Sequence, residues 1–195
     1  MKVLGRKTSG NVQKVLFLLE ELGVDYIRED YGRQFGNTGD AAYLSLNPNG
    51  KVPTFIDGDL VIWESNTILR YVAAKTGSAL YPTDLAARTQ VERWMDWLLA
   101  SLNDSYVTIF KAAKGGDTVP EGAAKTMVDC LKIMDGHLAK NAYLAGDAFT
   151  IADICLAPIV HRCINFPVAL PELPALKGWH KRLSERPAFG KVVAA

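Results

Sequence analysis

The chain has little that would mark it out by composition alone. Lys and Arg number 22 against 21 Asp and Glu, a net charge of +1, so no single-sign field is present to hold a polyanion. Neither nucleic-acid nor membrane-surface binding is expected. Long apolar runs are missing too: a stretch such as Val15 to Leu19 is far too short to span a bilayer, and Lys2 leads into Val3-Leu4 without the apolar stretch of a signal peptide. The expectation is a soluble cytoplasmic protein. Cysteine is scarce. Cys130, Cys155 and Cys163 are an odd number, come late and form no C-x-x-C pair, which argues against a disulfide framework or a zinc knuckle and for buried thiols. His137, His161 and His180 lie far apart, and His161 with Cys163 would offer a metal only a lone pair of ligands, so no metal is expected. There is no internal repeat and no low-complexity tract.

What the chain does have is apolar content: 49% of its 195 residues are hydrophobic, enough for one large core or two small ones. Lys2 to Gly5 reads as a strand. Val12, Val15, Leu16, Leu19 and Leu22 then recur at helical spacing up to a stop at Gly23. Tyr26 to Asp30 alternates as a second strand, Gly32 to Asp40 is a polar loop, and Asp57-Gly58-Asp59 joins two strands, Val52 to Ile56 and Leu60 to Ile62, as a hairpin. A helix from Ser65 to Lys75 closes the unit. The order β-α-β, connection, β-β-α predicts a small sheet with one parallel crossover and a hairpin edge. After the turn-rich Tyr81-Pro82-Thr83-Asp84 only helical periodicity is found. A long helix is predicted from Ala86 towards Lys114, a second over Glu121 to Lys140, a third from Thr150, and shorter ones after Pro174 and Pro187. Thr150-Ile151-Ala152-Asp153 reads as a structural capping box. The division expected is residues 1–77, a linker over 78–85, and an all-helical domain over 86–195.

Three clusters carry chemistry. Lys7-Thr8-Ser9-Gly10-Asn11 lies between the first strand and first helix, where unpaired amides and the helix dipole favour an anion such as a thiolate. The plain alternative is that Ser9 or Asn11 only caps the helix. Asn47-Pro48-Asn49-Gly50-Lys51-Val52-Pro53 opens a strand with a proline, which cannot donate to a ladder and so belongs at a strand start or edge, beside which an extended peptide can pair. Its alternative is an ordinary turn at Asn49-Gly50. Glu64-Ser65-Asn66 starts a helix and offers a hydroxyl and free amides to a carboxylate and an acid to an ammonium, or merely a serine cap.

Together these residues give a resemblance. The chain closely resembles a glutathione S-transferase over essentially its whole length, in the Asn-Pro-Asn-Gly-Lys-Val-Pro segment, the Glu64-Ser65 pair and the helical second half. The resemblance implies an α/β thioredoxin-like amino-terminal domain that binds glutathione, and an all-α carboxyl-terminal domain that supplies the second-substrate pocket. It also implies a homodimer and a part in detoxification. By this likeness Val52 pairs its main chain with the cysteinyl part of glutathione and Pro53 is a cis-proline. Glu64 and Ser65 hold the γ-glutamyl ammonium and carboxylate, and Lys51 faces the glycine carboxylate. Asp96 reaches the partner subunit's glutathione, and Arg70 lies at the dimer interface. Tyr106 and Phe110, four apart and so on one helix face, are implied as a wall of the electrophile pocket, with core packing as the alternative.

No Tyr precedes Tyr26 and no Cys precedes Cys130, so the tyrosine- and cysteine-dependent classes do not fit the first loop. Ser9 falls where theta- and delta-like members place a serine, and Asn11 where nu-like bacterial members place an asparagine; Thr8 replaces Ser9 if the register slips by one. The expected activity is conjugation of the glutathione thiolate to small hydrophobic electrophiles. Two alternatives stand beside it: glutathione-dependent reduction of peroxides or disulfides, and a non-catalytic binding module on the same fold.

Overall fold

Helix α1 (Gly10–Glu21) buries Val12, Val15, Leu16 and Leu19 of the predicted spacing and also Phe17 and Leu18, while Leu22, just past the helix, is half-buried; the chain turns where Gly23 is left-handed and its N–H bonds Glu20 O at 3.2 Å. The computed structural model describes residues Met1–Ala194. They fall into two compact units, Met1–Ala79 together with the segment from Ala188 onward, and Leu80–Pro187.

In the first unit, strands β1 (Lys2–Leu4), β2 (Ile27–Glu29), β3 (Thr54–Asp57) and β4 (Leu60–Trp63) form one sheet in the order β2-β1-β3-β4. β2 runs parallel to β1, and β3 is antiparallel to both β1 and β4. This is the thioredoxin-like arrangement expected. Asp57 pairs with Leu60, so the hairpin loop is the two residues Gly58 and Asp59, with Gly58 at φ 61°. The predicted strand from Val52 is shorter than expected, because Val52 and Pro53 precede the ladder. The Gly32 to Asp40 stretch contains two short 3₁₀ turns, and helix α2 (Ala41–Leu46), unread in the sequence, follows it with only Tyr43 buried. Six residues with a single buried position give no periodic signal. Helix α3 (Ser65–Lys75) packs on α1 and buries Ile68, Leu69 and Val72. The final helix, α9 (Pro187–Val192), was expected in the helical domain, yet from Ala188 it groups with the first unit. Phe189 meets Phe17 edge-on at 5.9 Å, Gln13 Nε2 donates to Val192 O at 3.0 Å, and Lys191 pairs with Glu20 at 2.7 Å.

The second unit is helical. The single helix predicted from Ala86 to Lys114 is instead α4 (Leu85–Trp97) and α5 (Asn103–Gly115), joined without a break in rotation by a π-helical turn over Leu98–Leu102 in which Asn103 N–H bonds Leu98 O, five residues back. Helix α6 (Glu121–Leu138) follows, and α7 (Ile151–Cys163) is buried along Ile151–Val160, as befits a central helix. The predicted capping box is present at Thr150. Its Asp153 carboxylate accepts from Thr150 N–H at 2.9 Å, Leu144 N–H at 3.0 Å and, from α8 (Pro174–Ser184), the Trp179 indole at 2.8 Å. Cys130, Cys155 and Cys163 are buried and none forms a disulfide. No helix among the described residues is long and apolar enough to cross a membrane.

Candidate functional site

The strand register brings the three sequence clusters to one end of the sheet. Leu4 pairs with Thr54 and Thr54 with Trp63, so the residues that follow β1, precede β3 and follow β4 are neighbours. These are the loop to Ser9, the Lys51–Pro53 segment and Glu64. Parallel pairing of β1 with β2 adds the segment after Glu29 to the same end.

The first loop turns tightly, with Ser9 N–H bonded to Arg6 O at 3.1 Å. Ser9 then occupies the cap position of α1, and its carbonyl accepts from Gln13 N–H at 2.8 Å. Its hydroxyl makes no capping hydrogen bond, although the residue is only 7% exposed. The capping reading therefore does not account for the side chain. No acidic residue stands in the first turn of α1, so nothing there repels an anion from the helix start. Thr8 and Asn11 are exposed on either side.

The second segment is held by its own polar side chains. Asn47 Oδ1 accepts from Asn49 N–H at 3.1 Å, and Gly50, at φ 60°, closes the turn on Asn47 O at 3.1 Å. The turn reading of Asn49-Gly50 holds. Asn47 Nδ2 donates to Lys51 O at 2.8 Å, leaving the exposed Lys51 side chain to solvent. The Val52–Pro53 bond is cis, as the resemblance implied, and Pro53 is buried. Burial also pushes the Tyr43 phenol above its ordinary range.

Glu64 is the strained residue of the site. At φ 71°, ψ 110° it is one of two non-glycine residues with positive φ among those described, and such a backbone costs on the order of 1–3 kcal/mol. It, and not Ser65, caps α3, and it does so without a side-chain capping bond. Ser65 and Asn66 follow, buried in the first helical turn. The serine-cap reading thus fails here as it does at Ser9.

Three contributors, Gly5, Arg6 and Gly32, were not read in the sequence as part of the site. Gly32, at φ 83°, lies against Arg6: a Cβ there would stand 3.0 Å from Arg6 Nη1 and 3.4 Å from Val52 Cγ1. At Gly5 a Cβ would meet Val12 Cγ2 at 2.5 Å and Val52 Cβ at 3.3 Å. Both glycines let Val52 sit against the first loop, with the Arg6 guanidinium beside it. Two glycines and an arginine in unremarkable loops carry no sequence signal of such an approach.

Arg70 is half-buried on α3. In the helical unit Asp96 is exposed on α4, whereas Tyr106 is buried in α5, with its hydroxyl accepting from Arg162 Nη1 at 2.9 Å and its ring stacked on Phe166 at 5.9 Å. Phe110 is 6.0 Å from Tyr106 and 5.6 Å from the Arg162 guanidinium. The histidines differ from expectation in one respect: His161 Nδ1 and His180 Nε2 are 3.0 Å apart, although distant in sequence. Among the described residues no group of three or more His, Cys, Asp or Glu side chains is placed to hold a metal.

The family model for the glutathione S-transferase N-terminal domain matches residues 1–74, and that for the C-terminal domain matches residues 82–187. Glutathione S-transferase GstB of Escherichia coli is 38% identical over 200 residues, which are 97% of this chain and 95% of that protein. Glutathione S-transferase 3 of Zea mays is 32% identical over 209 residues, covering 100% and 94%. The crystal structure of the theta class glutathione S-transferase from Xanthomonas axonopodis pv. citri with glutathione bound superposes with a TM-score of 0.95 at 38% identity, over 100% of this chain and 97% of that one.

Proposed function

Because the chain belongs to the glutathione S-transferase family, we propose that it conjugates the glutathione thiolate to small hydrophobic electrophiles, with the Ser9 hydroxyl donating to the sulfur. The observation that carries this reading is the Ser9 side chain, set at the amino end of α1 without being used as its cap. The Val52 main chain receives the cysteinyl part of glutathione. Glu64 meets the γ-glutamyl ammonium, the first-turn amides and Ser65 its carboxylate, and Lys51 the glycine carboxylate. Support for the tripeptide as ligand comes from the glutathione bound in the Xanthomonas relative.

A hydroxyl is not a base able to take a thiol proton; its contribution is a hydrogen bond that favours the thiolate. A thiol lowered from about 8.5 to about 6.5 rises from roughly 3% to roughly 75% ionised at pH 7, about 25-fold. The stabilised thiolate is also less nucleophilic, and a Brønsted slope of about 0.45 over two units takes back roughly 8-fold. The net gain is only about 3-fold. Most of the acceleration must come from holding the electrophile beside the sulfur. Contacts to it are proposed at Tyr106 and Phe110 of the helical unit. The working form is a homodimer with Arg70 at the interface and Asp96 reaching the partner subunit's glutathione, acting in cytoplasmic detoxification.

Glutathione-dependent reduction of peroxides or disulfides is the second reading, favoured by the exposed Asn11 in the turn beside Ser9. It needs no protein thiol, and all three cysteines belong to the other unit, so such activity should survive their joint replacement.

The test is a pH titration of the ultraviolet thiolate absorbance of glutathione with the purified protein and with Ser9→Ala. A lowered apparent pKa that reverts in the variant is expected, with glutathione affinity nearly intact. An unshifted thiol in the unsubstituted protein would leave the binding-module reading in its place.

A further inference from the structure

Asn47, just past α2, is 2% exposed, and its carboxamide is fully engaged. Its Nδ2 donates to Lys51 O at 2.8 Å and to Thr54 Oγ1 at 3.2 Å, while Oδ1 accepts from the N–H and from Nδ2 of Asn49, each at 3.1 Å. The turn to Asn49 needs only the oxygen, which an aspartate would supply as well. The amide nitrogen serves something else. With the Tyr43 hydroxyl, which donates to the same atom at 2.7 Å, it holds Lys51 O between two buried side chains. The Lys51–Val52 bond is trans, so its N–H points opposite to its C=O. Val52 N–H is therefore turned away from Tyr43 and Asn47. Turning the peptide over would leave both buried donors without this acceptor, at a cost that keeps it in place. Among the described residues neither the N–H nor the C=O of Val52 has a hydrogen-bond partner, and Pro53 has no N–H to offer. Val52 thus carries a donor and an acceptor that the fold itself does not use.

We propose that Asn47 and Tyr43 are positioning residues for the Val52 main chain. By holding Lys51 O inward they aim the Val52 N–H at the cysteinyl carbonyl of glutathione, and so favour a thiol that carries a peptide carbonyl at this point. A peptide plane oriented before the ligand arrives spares binding the cost of ordering it. The inference rests on the glutathione site proposed above and adds to it the groups that orient its main-chain donor.

The experiment measures KM and kcat for glutathione on the full chain, on Asn47→Ala and on Tyr43→Phe. It adds the inhibition constants of S-methylglutathione and of its analogue with a trans-alkene in place of the cysteinyl–glycine amide. The alkene keeps the shape of the amide but lacks the carbonyl that Val52 N–H meets. The full chain should bind the amide form about tenfold more tightly than the alkene. In Asn47→Ala the KM for glutathione and the inhibition constant of the amide form should rise about tenfold, that of the alkene should change less than about twofold, and kcat should be nearly unaltered. Tyr43→Phe removes the other donor to Lys51 O and should narrow the same preference to a smaller degree, so a folding defect in Asn47→Ala does not remove the test. Equal weakening of both ligands in the variants, or of neither, overturns the positioning role while leaving the glutathione site standing. A full chain that binds amide and alkene alike overturns the pairing at Val52 and the role with it. Failure of the full chain to bind S-methylglutathione overturns the site as well.

Discussion

The Tyr43 hydroxyl donates to Lys51 O at 2.7 Å and lies 2.9 Å from Thr54 Oγ1, so one side chain from α2 ties together the residues on both sides of Val52 and Pro53. Tyr43→Phe removes both bonds and leaves Lys51 O with Asn47. A stability loss of about 1 kcal/mol is expected in denaturant unfolding, with a several-fold rise in KM for glutathione and little change in kcat. Unaltered KM would mean that α2 supports the fold but not the ligand segment.

Glu64 holds its left-handed backbone at the expense of stability. Glu64→Gly should keep or raise the unfolding midpoint, because glycine adopts positive φ freely, while weakening glutathione binding by at least tenfold. Glu64→Gln should weaken binding without the gain. A Glu64→Gly protein less stable than the parent would show that the side chain itself supports the fold.

Asp153 faces two sets of donors at once, Leu144 N–H and the Trp179 indole on Oδ1, Thr150 N–H on Oδ2. Burial pushes its carboxyl upward while these donors hold it down. In Asp153→Asn the amide nitrogen must confront one of those sets. A loss of about 2–4 kcal/mol is expected in equilibrium unfolding, without a change in the thiol titration. A loss below about 1 kcal/mol would show that the network relaxes around the amide.

His161 and His180 titrate below their ordinary value of 6.5, through burial, with Arg162 opposing charge on His161 and His161 opposing charge on His180. Glu172 and Lys177 line the cavity next to His180. The unfolded chain then binds protons more readily than the folded one, so stability is full above 6.5 and falls as the pH drops from there through the folded pKa. Thermal unfolding between about pH 7.5 and about pH 5.5 should show this loss, and His161→Gln with His180→Gln should flatten it. An unchanged slope in the double variant would place the acid sensitivity elsewhere.

Much of the architecture is written locally. The apolar spacing and Gly23 stop of α1, the Asp57-Gly58 hairpin loop and the Thr150–Asp153 box all express backbone preferences or contacts a few residues apart, and each stands where its residues place it. The residue types of the site are also legible, since an anion at a helix start and a proline before a strand follow from the chemistry of nearby atoms. What sequence could not convey depends on segments far apart in the chain. Register sets the segments that carry Ser9, Val52 and Glu64 at one end of the sheet, and steric fit at Gly5 and Gly32 brings Val52 to the first loop. The return of α9 to the first unit, the His161–His180 contact and the Lys14–Asn66 bond likewise join residues from separate elements. Capping was less legible: Ser9 and Ser65 are types that cap helices, yet Ser9 stands at the cap position without a side-chain capping bond and Glu64, not Ser65, holds the cap position of α3. Local propensities are worth about 1 kcal/mol or less per residue, and where long-range packing competes with them, the packing prevails.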